Sequence, residues 1–365
     1  MKIAIVHDYL NQYGGAERVL ECLLEMFPEA DVYTLFFDRQ VGGGRFAGYK
    51  IKTSWLDWPI VWRRHRFFIP LMPLAAQSLN LGDKYDLIIS ATAGYAKGIR
   101  YDSQTTRHVC YCYTPLRYAW EDGYLGKWQI ANSKWLLKPI LNYLRAWDYK
   151  MVQRPDKIIA ISNHIAGKIK KYYDREAVVI YPPLDTTKFY EVELRKNPYE
   201  VRLRKYFLAV GRLIHYKNFD LIVRAFNILQ KPLKIVGVGP ELARLKKIAG
   251  PNIEFLSFVP SDDELRKLYN GAQAFIFASA EDFGLVMAEA QACGTPVIAL
   301  AAGGALEIVK EGETGIFFHE PTKESLVAAV YKFEKLKFDR KKIAQTAQKF
   351  STKNFQMSLQ KQMEM

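Results

Sequence analysis

Residues 274–300 read AFIFASAEDFGLVMAEAQACGTPVIAL, and the order of events along that stretch decides the fold. Ala274 to Phe277 is a short apolar run, as expected of a strand buried on both faces. A polar loop with Glu281 and Asp282 follows, and Gly284 stands where a helix should start. A second apolar run, Pro296 to Leu300, then reads as another buried strand. Alternation of this kind predicts parallel α/β layers.

Working outward, the same kind of run recurs at Ile3 to Val6, Leu87 to Ile89, His108 to Tyr113, Ile158 to Ile161, Phe207 to Val210 and Leu233 to Val236. Helical patterns lie among them; Leu221, Ile222, Ala225, Phe226 and Leu229 form one apolar stripe suited to packing on a sheet. A break falls at Tyr181-Pro182-Pro183, followed by an irregular stretch containing Asn197-Pro198 before a fresh strand near Tyr206. A chain of 365 residues exceeds what one core comfortably fills. The expected organisation is therefore a Rossmann-like domain over residues 1–182, a second over 183–337, and a basic helical segment over 338–365 that could pack back on the first. Such domains should face each other across a cleft at the strand C-termini, where open α/β sheets take ligands.

Composition narrows the function classes. With 49% hydrophobic and 25% charged residues the chain is too apolar for disorder. Its net charge of +14 suits nucleotide phosphates, polyanions or an anionic membrane face, and the excess is spread along the chain rather than gathered in a basic tail. The four cysteines, Cys22, Cys110, Cys112 and Cys293, make no zinc spacing and read as reduced core thiols. The N-terminus reads as a buried strand rather than a signal peptide. The longest uncharged runs fall short of the ~20 apolar residues of a spanning helix, so a cytosolic or membrane-peripheral protein is expected.

The candidate site residues gather at strand ends. After strand Tyr206 to Val210, Gly211-Arg212 and Lys217-Asn218 place two cations where both could reach one diphosphate; an incidental surface lysine is the plainer alternative. Glu281 lies in the loop before the helix. The free amides of Phe283, Gly284 and Leu285 could hold a phosphate at the positive end of that helix. Glu289, one turn in, would be costly without a partner; a ribose diol or a nearby Arg or Lys would serve. Gly303-Gly304 reads as a tight structural turn. In the first half, Gly14-Gly15-Ala16-Glu17 opens a helix where backbone could approach a phosphate.

Taken in order, Gly14-Gly15-Ala16-Glu17, Gly211-Arg212 with Lys217-Asn218, the Glu-x7-Glu of Glu281 and Glu289, and Gly303-Gly304 resemble the GT-B retaining glycosyltransferases of family 4. His7-Asp8-Tyr9 and the stretch from Tyr113 to Trp120 look more narrowly like the WbaZ-like mannosyltransferases of surface-glycan synthesis. The resemblance implies two facing Rossmann-like domains and a nucleotide-sugar donor, with no metal ion and no other cofactor. It implies that Arg212 and Lys217 hold the diphosphate, Glu281 touches donor-sugar hydroxyls, Phe283, Gly284 and Leu285 add backbone contacts, and Glu289 binds the ribose. Gly14 and Gly15 would approach the donor, while Tyr113 and Arg117 would lie against acceptor or sugar. GDP-mannose and a lipid-linked or surface-glycan saccharide are the implied substrates, with a UDP- or ADP-sugar and a soluble acceptor as the alternative. One departure stands out: similar sequences commonly carry His where this chain has Tyr113, a poor general base at neutral pH.

Two further readings concern partners. Trp55 to Phe68 packs three Trp, two Phe and three Arg into one short stretch, which suits an interfacial segment on an anionic membrane or a core-packed helix with a basic outer face. The basic stretch Lys134 to Lys171 would add to a membrane-facing charge. A nucleic-acid binder is the rival class, but no recognition motif for it is present and no nucleic acid is expected as a partner; a non-catalytic scaffold of the same fold is the other alternative, with Tyr113 as its only support.

Overall fold

The computed structural model describes residues 1–121, 134–192, 206–257, 259 and 261–364; the expected irregular stretch at Asn197-Pro198 lies outside them. The chain divides into two compact units, residues 1–182 with 356–365, and residues 183–355.

The first unit is built on seven parallel strands: β1 (Ile3–His7), β2 (Asp31–Thr34), β3 (Ile51–Thr53), β4 (Leu87–Thr92), β5 (Arg107–Cys112), β6 (Lys157–Ala160) and β7 (Val178–Val179), in the spatial order β3-β2-β1-β4-β5-β6-β7. β1 and β4 are buried along their whole length, which is why they read as unbroken apolar runs rather than alternating ones. Among the helices, α1 (Gly15–Met26) follows β1, and α2 (Pro59–Arg64) and α3 (Met72–Ser78) precede β4. Farther along come the single turn α4 (Arg117–Trp120), the long α5 (Lys134–Val152) and α6 (Asn163–Tyr173). The edge strand β3 carries Lys52, whose ammonium bonds Asp31 at 3.0 Å and the Tyr33 hydroxyl at 3.1 Å. A charged side chain on an edge discourages further strand pairing.

The second unit repeats the plan with six parallel strands, β8 (Tyr206–Val210), β9 (Leu233–Val236), β10 (Ile253–Leu256), β11 (Ala272–Phe277), β12 (Val297–Leu300) and β13 (Gly315–Phe318), ordered β10-β9-β8-β11-β12-β13. Helix α7 (Phe219–Leu229) buries Leu221, Ile222, Ala225, Phe226 and Leu229, the stripe expected from its periodicity. α8 (Leu242–Ile248), α9 (Asp262–Gly271), α10 (Leu285–Ala292), α11 (Ala305–Ile308) and α12 (Lys323–Glu334) complete the crossovers. In each sheet the order reverses beside the first strand, at β1/β4 and β8/β11, and such reversals are where open α/β sheets take ligands.

Four strands, β2, β3, β10 and β13, were not visible as apolar runs, because each is short and interrupts its apolar residues with polar or glycine positions. The expected strand His108 to Tyr113 is shifted: it ends at Cys112 and leaves Tyr113 just past its end. Segment 338–365 is not one helix but α13 (Arg340–Ala347), a 3-10 turn and α14 (Thr352–Glu364). Arg340 fastens α13 to its own unit by bonding the carbonyls of Asn270, Ala272 and Cys293 and the Thr295 hydroxyl. The last ten residues group with the first unit. There Arg107 and Lys157, the first residues of β5 and β6, bond the Gln362 carbonyl, and Arg107 also bonds that of Met363, placing cations where the helix dipole is negative. All four cysteines are free and buried, and burial pushes the Cys110 thiol up to about 11.

Candidate functional site

In the second unit, β8 delivers its chain at Gly211, in the left-handed region at φ 156°, and Arg212 follows, exposed. A 3-10 turn over His215–Lys217 then reaches Asn218, which is itself left-handed at φ 53° and opens α7. Asn tolerates that conformation better than a branched residue. Its side-chain amide bonds the Ala278 carbonyl at 2.9 Å, fastening the turn to the loop after β11. That places Lys217 against Glu281, with Nζ 2.7 Å from Oε1 and both side chains largely buried. The Ser279 hydroxyl adds a longer bond to the same oxygen.

Sequence reasoning placed Lys217 and Glu281 on the same ligand; the structure pairs them with each other. An ammonium has three donors and a carboxylate about four acceptor sites, so the pair leaves Lys217 able to bond a phosphate and Glu281 able to accept a hydroxyl. Arg212 lies in the same loop.

Glycines hold this geometry by close packing. A Cβ on Gly303 would sit 2.3 Å from the Glu281 carbonyl, and one on Gly304 would sit 2.2 Å from that of Phe283. The Gly303-Gly304 turn is thus the floor under the Glu281 loop, in line with its structural reading. Sequence reading missed the corresponding support on the other side. A Cβ on Gly237 would fall 1.9 Å from the Gly211 oxygen, so Gly237 and Gly239, in the loop after β9, pack directly on Gly211 to Leu213. Their signal was there as Gly-x-Gly immediately after an apolar run.

Gly284, at φ 92°, precedes α10, and no side chain caps that helix. A glycine at that position has no side chain with which to cap the first amides of the helix. Phe283 is buried against Phe350. Glu289 is 1% exposed and accepts the Tyr269 hydroxyl at 2.9 Å. It is an interior carboxylate that accepts a phenol hydroxyl; a ribose diol and a nearby cation were the partners expected from the sequence.

In the first unit, Asp8 closes the reversal of the sheet. Its carboxylate accepts the Thr92 hydroxyl and the amides of Ala93, Tyr95 and Ala96, at 2.6 to 2.9 Å, so its role is to hold the turn after β4. Helix α1 opens at Gly14, again with no side-chain cap, and Glu17 stands buried in its first turn. His7, the last residue of β1, lies with Nε2 3.7 Å from Glu17. The Tyr113 hydroxyl donates to the Ala16 carbonyl at 3.0 Å, and its ring stands edge-on to His7. Burial holds the Tyr113 phenol well above its ordinary pKa, so it stays neutral. His108 does not replace the histidine missing at 113. It is fully buried, bonded to Ser90 and Tyr101, and desolvation pushes it down to about 3.

Arg117 begins α4, half-buried. Three residues on, the Trp120 indole bonds Asp148, which also accepts the Tyr173 hydroxyl and pairs with Lys97 at 2.6 Å. The end of the 113–120 stretch is therefore a core anchor.

The aromatic–basic stretch divides into two faces. Leu56, Val61, Ile69 and Met72 point into the core, and Trp62 packs against it with its indole on Asp57. Trp58 and Phe67, by contrast, are 62% and 76% exposed, beside exposed Trp55, Ile60, Leu71 and Leu74. Arg63, Arg64 and Arg66 are exposed as well. Among the described residues no helix is long and apolar enough to cross a membrane.

With this geometry established, comparison with known proteins is informative. Residues 13–188 match Glycosyltransferase Family 4 and residues 193–350 match Glycosyl transferases group 1. An uncharacterized glycosyltransferase of Methanocaldococcus jannaschii is 27% identical over 56% of this chain and 55% of its own length. A GDP-mannose-dependent alpha-(1-6)-phosphatidylinositol monomannoside mannosyltransferase of Mycolicibacterium smegmatis is 26% identical over 48% of this chain and 52% of its own. The chain thus spans about half the length of the curated relatives it matches. Among solved structures, HepE of Anabaena in complex with UDP superposes at a TM-score of 0.72 with 17% identity, covering all of both chains. That likeness concerns the fold, which is GT-B.

Proposed function

We propose, for a chain that carries the family 4 and group 1 domains of GT-B glycosyltransferases, that it moves a hexosyl group from a nucleotide diphosphate sugar to a hydroxyl of a saccharide acceptor. The observation that carries this reading is the Lys217–Glu281 pair at the reversal of the second sheet, beside the uncapped start of α10. It offers a cation for a diphosphate and a carboxylate for sugar hydroxyls, one bond apart.

In this reading Lys217 and Arg212 neutralise the charge that grows on the departing diphosphate. Glu281 fixes the donor sugar, and the amides of Phe283, Gly284 and Leu285 bond donor oxygens. Glu289 is assigned to the ribose on family resemblance, and its carboxylate has acceptor sites beyond the one that Tyr269 uses. Gly14 and Gly15 give backbone approach to an oxygen-rich substrate, with Tyr113 and Arg117 on the acceptor or transferred sugar. The anomeric carbon–diphosphate bond breaks, a bond to the acceptor oxygen forms on the same face, and the acceptor proton leaves with the diphosphate. Configuration is retained, and no metal ion or other cofactor takes part.

Mannose from GDP-mannose is the donor we favour, on the WbaZ-like stretches and on the GDP-mannose dependence of the mycobacterial relative; UDP- or ADP-hexose is the second choice. Calorimetric binding of GDP, UDP and ADP with their hexose conjugates tests this. Selective binding of one diphosphate nucleotide supports the donor site. Binding of none by folded protein, together with steeply salt-dependent affinity for generic DNA or RNA, would replace the reading by a nucleic-acid role. Replacing Arg212 and Lys217 together by alanine should weaken a diphosphate nucleotide by about 10²-fold or more and the bare nucleoside hardly at all; equal losses on both would remove the two cations from the diphosphate.

The acceptor we favour is a lipid-linked or surface-glycan saccharide at the inner face of the cell membrane. Its support is the exposed face of Trp55, Trp58, Ile60 and Phe67 with three arginines beside it, an arrangement suited to anionic headgroups. Substituting Trp58→Ser with Phe67→Ser should cut binding to phosphatidylglycerol liposomes without lowering the unfolding temperature. Trp62→Ser should instead destabilise the fold. Liposome binding that survives the first pair would discard the membrane contact.

A further inference from the structure

Resting on the transferase reading, we infer that His7 is a sugar-hydroxyl contact and that Glu17 is its positioning residue. His7 is 3% exposed at the end of β1, where the first sheet reverses its order. Its Nε2 faces the buried carboxylate of Glu17 at 3.7 Å, while its Nδ1 has no hydrogen-bond partner among the described residues. Buried polar atoms are nearly always satisfied, so an orphan at such a place marks a missing partner.

The surroundings specify that partner. The Glu17 carboxylate lies beyond hydrogen-bond range of Nε2 but its charge favours a proton on that side of the ring, and in that tautomer Nδ1 is a lone-pair acceptor. The adjoining start of α1 contributes amide donors with no side-chain cap. A group that both donates and accepts is therefore wanted, and a hydroxyl is such a group. A phosphate only accepts, and it would also meet the Glu17 carboxylate already at the positive end of α1. A cation would oppose the helix dipole. Nδ1 is closed to solvent in this state. Beside the ring stands Tyr113, edge-on to His7 with its hydroxyl bonded to the Ala16 carbonyl.

Long-range proton–nitrogen NMR of the imidazoles in the intact protein tests this directly, with the His7 signals assigned by their loss in His7→Gln. The free protein should show His7 protonated at Nε2 and bare at Nδ1. Titration with methyl α-mannoside or methyl α-glucoside should shift the Nδ1 resonance, and Glu17→Gln should alter the tautomer populations. Kinetically, His7→Gln should raise the KM of the saccharide acceptor about tenfold with nucleotide affinity unchanged. His7→Asn, whose Oδ1 can stand in for Nδ1, should recover part of that loss. A proton on Nδ1, a His7 spectrum indifferent to both glycosides, or equal defects in the two variants would overturn the assignment. Wild-type protein that binds no nucleotide sugar would instead sink the transferase reading, while the glycoside titration would still decide His7.

Discussion

Replacing Glu281 by alanine is expected to lower turnover by about 10²- to 10³-fold while nucleotide affinity is kept or improved. The asymmetry follows from the pair it breaks. Lys217 Nζ lies 2.7 Å from Glu281 Oε1 with neither side chain well exposed, so part of its charge is already spent on the carboxylate. Without Glu281 the ammonium faces an incoming diphosphate undivided, and binding should not suffer. The sugar, however, loses the acceptor that orients it, and orientation errors of an ångström are enough to cost catalysis. Single-turnover rates and calorimetric Kd for the same variant separate the two effects. A variant with wild-type turnover would remove Glu281 from the site. Equal losses in turnover and in nucleotide affinity would mean that the loop itself had collapsed. Glu281→Gln, which keeps the shape and one acceptor oxygen, guards against that reading and should fall between alanine and wild type.

The largest expected loss of stability lies elsewhere in the first unit. Asp148→Ala should destabilise it by about 3 to 5 kcal/mol, a large share of the 5 to 15 kcal/mol that typically holds a domain together. Lys97 and Asp148 are both completely buried and lie 2.6 Å apart. Burial pulls the Lys97 pKa down, but the charge and hydrogen bond of Asp148, together with Cys112 and Cys110, outweigh it and hold the lysine above its ordinary value. Asp148 also accepts the Trp120 indole and the Tyr173 hydroxyl. Alanine there would leave a charge and two donors unpaired in the core. Denaturant unfolding of the variant measures the loss. The combination Lys97→Met with Asp148→Leu should cost much less than the two single changes added together, because it removes charge and partner at once. A midpoint for Asp148→Ala close to that of wild type would show that water reaches the pair.

The fold was largely legible because a parallel sheet covered on both faces demands unbroken apolar runs, and β1, β8, β11 and β12 supply them. Strands such as Ile51–Thr53 were not, since a three-residue edge strand owes its conformation to its neighbour rather than to its own residues. The site was legible as a set of residue types at strand ends. Gly237 was overlooked because the reason for it is the Gly211 oxygen in a neighbouring loop, a contact that spacing along the chain does not contain. For Trp55 to Phe68 the sequence left an interfacial and a core-packed reading open, and the structure divides the stretch between them: Trp58, just before α2, is exposed, while Trp62 within it bonds Asp57 and packs on the core.

By itself, then, the sequence determined two parallel-sheet domains, the strand ends that hold the candidate site, and the identity of the cations, carboxylates and glycines placed there. Those follow from local periodicity, turn chemistry and burial demand, each of which acts over a few residues. Only the tertiary structure decided the pairings: Lys217 with Glu281, Glu289 with Tyr269, Asp8 with the turn after β4, His7 with Glu17, and Lys97 with Asp148. A charged or polar side chain takes its meaning from the atoms within about 3 Å of it, and in this chain those atoms come from residues far away in sequence.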